Sequence, residues 1–139
     1  MRKINCLLLA CLLMLSCFTC NSFAALPDII EPQWSNTSTV TLSHDADGTT
    51  AHCYVDIAIR TGATMMNTSI RLIAMDENPQ RIVKEWTDPT MTVDSFNMYS
   101  FHGTVPNIVP GNGYQLVFQC EVWRNGVCDY ISQACDAIY

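Results

Sequence analysis

Two stretches of this chain place an apolar residue at every second position over nine residues, and they restrict the fold more than anything else in it. From Ala51 to Ile59, the set Ala51, Cys53, Val55, Ile57 and Ile59 is interleaved with His52, Tyr54, Asp56 and Ala58. From Tyr114 to Val122, the set Tyr114, Leu116, Phe118, Cys120 and Val122 is interleaved with Gln115, Val117, Gln119 and Glu121. A period of two places one set on each face of an extended chain, which is the pattern of a strand buried on one side. Weaker versions recur at Val40 and Leu42, between Met66 and Met75, from Arg81 to Thr87, and at Tyr99, Phe101, Gly103 and Val105. Turn and breaker chemistry separates these runs: His44-Asp45-Ala46-Asp47-Gly48, Thr61-Gly62-Ala63-Thr64, Asp76-Glu77-Asn78-Pro79 and Asp88-Pro89. Asn125-Gly126 suits a two-residue hairpin turn, where both residues need positive φ, and it predicts that Arg124 faces Val127 and Cys120 faces Ile131. No segment carries a helical period. The expectation is an all-β fold, an antiparallel β-sandwich of about seven strands.

The first residues of the 139-residue chain do not belong to that pattern. Arg2 and Lys3 precede an uncharged apolar run from Cys6 to Phe18, and Ser22 and Ala24 are small residues placed for signal peptidase. Residues 1–24 are therefore expected to be a signal peptide cut between Ala24 and Ala25, with an extended lead-in over 25–36 and the sandwich over 37–139. The apolar run is too short to span a bilayer comfortably, and the mature chain contains no transmembrane segment by the same measure. Met14-Leu15-Ser16-Cys17 is a loose lipidation motif, so a lipid anchor at Cys17 is the alternative to release. Either route places the protein outside the cell, secreted or lipid-anchored at its surface. Losing Arg2 and Lys3 deepens the net charge of −6 by two. So acidic a surface argues against nucleic acid, whose phosphates require clustered Lys and Arg.

Four of the eight cysteines leave with the signal, and Cys53, Cys120, Cys128 and Cys135 remain. Their spacing lacks the close ligand pairs of a zinc site, and an even number in an exported chain points to disulfides. Cys53 and Cys120 both lie on inward sets, so a bridge between them across the core is the favoured pairing. Cys128 and Cys135 are then left together. A straight strand would hold them over ~20 Å apart, so that pair requires the last strand to bend, and otherwise Cys135 approaches Cys120 or both stay free.

Candidate chemistry is sparse. His44 is expected in a turn and His52 on an outward face, both as surface histidines together with His102. Asp45-Ala46-Asp47-Gly48 departs from a calcium loop, because the glycine comes too early and Thr49 stands where an oxygen-rich ligand belongs. Neither a nucleophile elbow nor a phosphate-binding glycine loop is present. No catalytic residue, cofactor or metal is expected. Trp123 and Tyr130 share the outward face of the last hairpin. With Tyr54 they are the candidate ligand face, of the kind that stacks on sugars, and Trp34 and Trp86 are further candidates. Asn36-Thr37-Ser38 and Asn67-Thr68-Ser69 match glycosylation sequons.

The segment Ile108-Val109-Pro110-Gly111-Asn112-Gly113-Tyr114-Gln115-Leu116-Val117-Phe118 resembles the fibronectin type III pattern of an aliphatic residue, Pro-Gly, and a tyrosine opening the penultimate strand. That resemblance gives Tyr114 the role of a structural corner whose hydroxyl bonds to backbone. The longer order Ile30-Glu31-Pro32-Gln33-Trp34-Ser35-Asn36-Thr37-Ser38, a Thr/Ser-rich first strand, Ala51-His52-Cys53, and Val83-Lys84-Glu85-Trp86 resembles uncharacterised small secreted proteins of gut Gram-positive bacteria. The class implies an immunoglobulin-like sandwich and brings no activity. The functional expectation is a non-catalytic interaction module whose partner is an extracellular protein or a glycan, with a small carbohydrate-binding module as the alternative. An inhibitor presented on a loop is a third option without positive support.

Overall fold

The computed structural model describes residues 34–139, and everything structural below concerns those residues. The expected signal peptide, the Ala24–Ala25 cut, Cys17 and most of the lead-in lie outside them. Eight strands follow in chain order: β1 (Thr37–Asp47), β2 (Thr50–Ile59), β3 (Thr64–Ala74), β4 (Arg81–Thr87), β5 (Thr92–Val93), β6 (Met98–Pro106), β7 (Gly113–Arg124) and β8 (Val127–Ile138). They form two four-stranded antiparallel sheets, ordered β1-β2-β6-β5 and β4-β3-β7-β8. No helix among the described residues is long and apolar enough to cross a membrane.

The alternation read from the sequence is the alternation of burial. In β2 every second residue from Ala51 to Ile59 is buried, and in β7 the same holds from Tyr114 to Val122. These strands are internal in their sheets, which is why their patterns are the cleanest. Phe118, Ile57, Ile70, Leu72, Leu116 and Ile131 are the largest fully buried side chains. Removing each from water stabilises the fold by about 1.5–3 kcal/mol. The edge strands β1, β4 and β8 bury fewer residues and read less regularly.

The turns follow local chemistry. Asn125 and Gly126 take φ of 51° and 79°, and the hairpin they close pairs Arg124 with Val127 and Cys120 with Ile131, as the Asn-Gly spacing predicts. Three details differ from expectation. β5 adds a short strand that two residues are too few to announce by any period. The third strand begins at Thr64 and carries a bulge between Met66 and Ser69, with Asn67 at φ 51°. His44 lies in β1 and not in a turn: the strand continues to Asp47, and the reversal is made at Gly48, with φ 60°, and Thr49. Cross-strand pairing with β2 outweighs the turn propensity of the short polar residues in that segment.

Inside β6, Gly103 leaves a hollow that aromatic rings fill. A Cβ there would lie 2.6 Å from Phe101 Cζ and 2.8 Å from Trp86 Cζ2. Trp86 reaches over from β4 to meet Phe101 edge-to-face at 5.2 Å, so the two sheets are pinned together at this point. A second tie joins the start of β1 to β8. The buried carboxylate of Asp129 accepts from the backbone N–H of Asn36 at 2.6 Å and of Thr37 at 3.2 Å, while Asn36 Nδ2 donates to the carbonyls of Val122 and Val127. An acid on the inward set of β8 is thereby satisfied by backbone donors rather than by a cation.

Candidate functional site

The outward residues of β2 are His52, Tyr54 and Asp56, and antiparallel pairing with β6 sets Tyr54 opposite His102 and Asp56 opposite Ser100. The rings of Tyr54 and His102 stack with centroids 4.6 Å apart and 3° between planes, and His52 stacks on His102 at 5.7 Å and 21°. Both partners come from the β2 side of His102. On its other side β5 pairs with β6 only at Ser100 and Tyr99, so no strand flanks the imidazole there. A cleft of about 300 Å³ opens at this place, lined by Tyr54, Asp56, Thr90, Thr92, Ser100 and His102, with Phe101 beneath.

Hydrogen bonding gives the cleft a definite polarity. Ser100 Oγ donates to Asp56 Oδ1 at 2.6 Å, and Thr92 Oγ1 donates to the Ser100 carbonyl at 3.2 Å. Both hydroxyl protons are therefore used within the protein. What Asp56, Ser100 and Thr92 have left is acceptor capacity, the second carboxylate oxygen of Asp56 and the lone pairs of the two hydroxyls, while the Tyr54 and Thr90 hydroxyls and the His102 ring beside them can both donate and accept. The row of acceptors runs across three strands beside a wall of stacked rings.

On the opposite sheet's outer face several polar side chains bond to one another. Arg71 Nη2 donates to Gln119 Oε1, Gln119 Nε2 donates to Ser132 Oγ at 3.2 Å, and Gln115 Nε2 donates to Asp136 Oδ1 at 2.8 Å. Trp123 is exposed, yet its indole N–H donates to Glu121 at 2.9 Å, and Tyr130 stands opposite Glu121. The expected ligand face is thus divided. Tyr54 is on one sheet and Trp123 with Tyr130 on the other, because alternation tells inward from outward but not which sheet a strand joins. Trp34 and Trp86 are half-buried against the core and line no outer face. A wider hollow of about 540 Å³ near Met75, Tyr114 and Asp136 is mostly apolar, with Gln115 bonded to one oxygen of Asp136 and the Val109 N–H bonded to the Tyr114 hydroxyl.

Cys53, Cys120, Cys128 and Cys135 are unbridged among the described residues. Asp129 meets Thr37 and Cys135 meets His44, so β1 and β8 run alongside each other in the same direction. Through the pairing of His44 with Cys53, Cys53 lies level with Cys135. Cys120, opposite Ile131, sits about four residues, or ~13 Å, further along. β8 also runs unbroken through Ser132 and Gln133, which keeps Cys128 and Cys135 on an extended segment. Burial pushes the Cys53 and Cys120 thiols up to about 12, with neighbouring Cys135 adding to the first and Cys128 to the second. Cys128 is exposed beside Trp123.

His44 is half-buried rather than on the surface. Its Nε2 donates to the Cys135 carbonyl at 3.1 Å and its Nδ1 bonds with the Tyr139 hydroxyl, which can donate to the neutral ring. Burial lowers its pKa from the ordinary 6.5. Tyr139 in turn stacks on Tyr114 at 5.0 Å. The Tyr114 hydroxyl accepts from the Val109 backbone N–H at 2.9 Å, five residues upstream. Among the described residues no group of three or more His, Cys, Asp or Glu side chains is placed to hold a metal ion. Neither a protein-family model nor a curated protein matches the chain.

Sequence reasoning placed Tyr54 in the ligand face and put His52 and Asp56 on the same outward set. It missed Thr90, Thr92, Ser100 and the part played by His102. The order of strands brings them beside β2, and no local signal encodes that order.

Proposed function

We propose that this protein is an exported, non-catalytic interaction module that binds its ligand in the cleft over Ser100. The observation that carries the reading is the cleft's unspent acceptors beside stacked rings, on a face where every lining residue except Thr90 and Met-flanked Thr92 sits on the long strands β2 and β6. Polar groups of the same kinds on the other face bond to one another. Strand order β1-β2-β6-β5 over β4-β3-β7-β8 and the bond from Val109 to Tyr114 support an immunoglobulin-like type. The basic start and apolar run before Ala24 support export, with a secreted product and Cys17 lipidation as its alternative. The class of small secreted proteins from gut Gram-positive bacteria fits this location.

Amide shift mapping tests the cleft with soluble probes: methyl glycosides, amino-acid amides and tripeptides. Shifts gathered at Tyr54, Asp56, Thr92, Ser100 and His102 are expected. Shifts gathered at Trp123 and Tyr130 would move binding to the opposite face, and silence with every probe would remove the reading. The mass of the exported product distinguishes release after Ala24 from acylation at Cys17.

A further inference from the structure

We infer that the cleft takes a neutral saccharide, one pyranose ring lying against the His102–Tyr54 wall while its hydroxyls donate to Asp56, Ser100 and Thr92. The inference rests on the cleft reading above and names its ligand class. Donor bookkeeping narrows the choice first. The Ser100 and Thr92 protons are already committed, so a group seated against Asp56, Ser100 and Thr92 must donate to them, while the Tyr54 and Thr90 hydroxyls can donate to it in return. Phosphate, sulfate and carboxylate groups are anions, and the Asp56 carboxylate repels them. An aliphatic ligand would leave Asp56 desolvated without a partner, which is unfavourable.

Two donor-rich classes remain, polyols and organic cations. The cleft's shape and surroundings favour the polyol. Its volume of about 300 Å³ suits a ring rather than a bare guanidinium or ammonium group. The carboxylate already accepts a hydrogen bond from Ser100, which spends part of its charge. A pyranose supplies what the cleft lacks, since its C–H face packs on a ring while adjacent hydroxyls chelate one carboxylate. His102 offers that ring, because both of its stacking partners come from the β2 side.

Saturation-transfer difference NMR on the full mature protein tests this, with methyl β-D-glucopyranoside, methyl β-D-galactopyranoside and methyl α-D-mannopyranoside as probes and arginine amide as comparator. At least one glycoside is expected to bind, with its ring protons saturated most strongly. His102→Ala and Asp56→Asn should each weaken it about tenfold, while His102→Phe keeps binding because a ring is retained. These side chains face outward, and an unchanged unfolding midpoint verifies that each variant is folded. Glycoside binding that ignores both substitutions overturns the inference. Arginine amide shifting the cleft amides while every glycoside fails overturns the saccharide and leaves the cleft reading standing. If no probe of either class touches the cleft, both fall together.

Discussion

On the outer face of the β4-β3-β7-β8 sheet, Arg71, Gln119 and Ser132 hand hydrogen bonds to one another in a line, and Glu121 occupies the Trp123 indole. On the outer face of the β1-β2-β6-β5 sheet, Asp56, Ser100 and Thr92 make a similar line but finish with acceptors unused. Both faces are polar and built from cross-strand pairs. The difference lies in what each line leaves over: Ser132 keeps a hydroxyl proton on an open strand surface, whereas Asp56 keeps a carboxylate oxygen inside a cleft walled by rings. A face that satisfies itself contributes to stability and has little left to offer a ligand. A face with capacity left over contributes less to stability and can recognise something.

Thiol chemistry should give the widest contrast. In reduced, native protein at mildly alkaline pH, iodoacetamide should alkylate Cys128 on the satisfied face orders of magnitude faster than Cys53 or Cys120, whose thiols burial holds at about 12. Peptide mapping that finds Cys120 modified first would mean that the β7–β8 hairpin is not seated as described.

Gly103→Ala is the largest stability test. The added methyl has no room against Phe101 and Trp86, so a loss of about 2–3 kcal/mol is expected from denaturant midpoints. Because Phe101 floors the cleft, this substitution should disturb amides of the open face and spare those around Gln119. Gln119→Ala should cost about 1–2 kcal/mol, since it removes two hydrogen bonds and strands Arg71, whose Nε is already buried without a partner. Ser100→Ala should cost less, about 0.5 kcal/mol, because Asp56 can turn to water. A larger loss for Ser100→Ala than for Gln119→Ala would erase the distinction between the faces.

The smallest expected effect is a pH dependence. Folding lowers the His44 pKa below 6.5, so the unfolded chain binds more protons as pH falls through that value. Stability is then full above about 6.5 and declines as pH drops toward the lower folded value. His44→Gln should flatten the decline in urea midpoints measured between neutral and mildly acidic pH. An unchanged slope would assign the acid sensitivity to other groups.

How far all this could be read from the sequence depends on what each property needs. Inward and outward sets in β2 and β7 need only neighbours along the chain, so they were legible, as was the Asn125-Gly126 turn with its register. The cysteine pairing required the stagger of one sheet over the other, which is set by contacts such as Asp129 with Asn36 and His44 with Cys135. That stagger separates Cys53 from Cys120 although both point inward. Asp129, an acid on the inward set of β8, went unremarked in the sequence, and only its bonds to the Asn36 and Thr37 backbone show it to be a tie. Half of the candidate site was legible as well: His52, Tyr54 and Asp56 share one outward register. Ser100, His102 and Thr92 reach them only because β6 lies between β2 and β5.

Most of the proposed cleft is made of strand residues held in backbone ladders, on both sides at Tyr54, Asp56 and Ser100 and on one side at His102 and Thr92, and only Thr90 comes from a connecting segment. The binding surface therefore exists before the ligand arrives, so little ordering entropy is lost on association. It also leaves the loops at both ends of the sandwich free to change in length and sequence. Variation there could alter what surrounds the ligand while the strands keep the cleft itself intact.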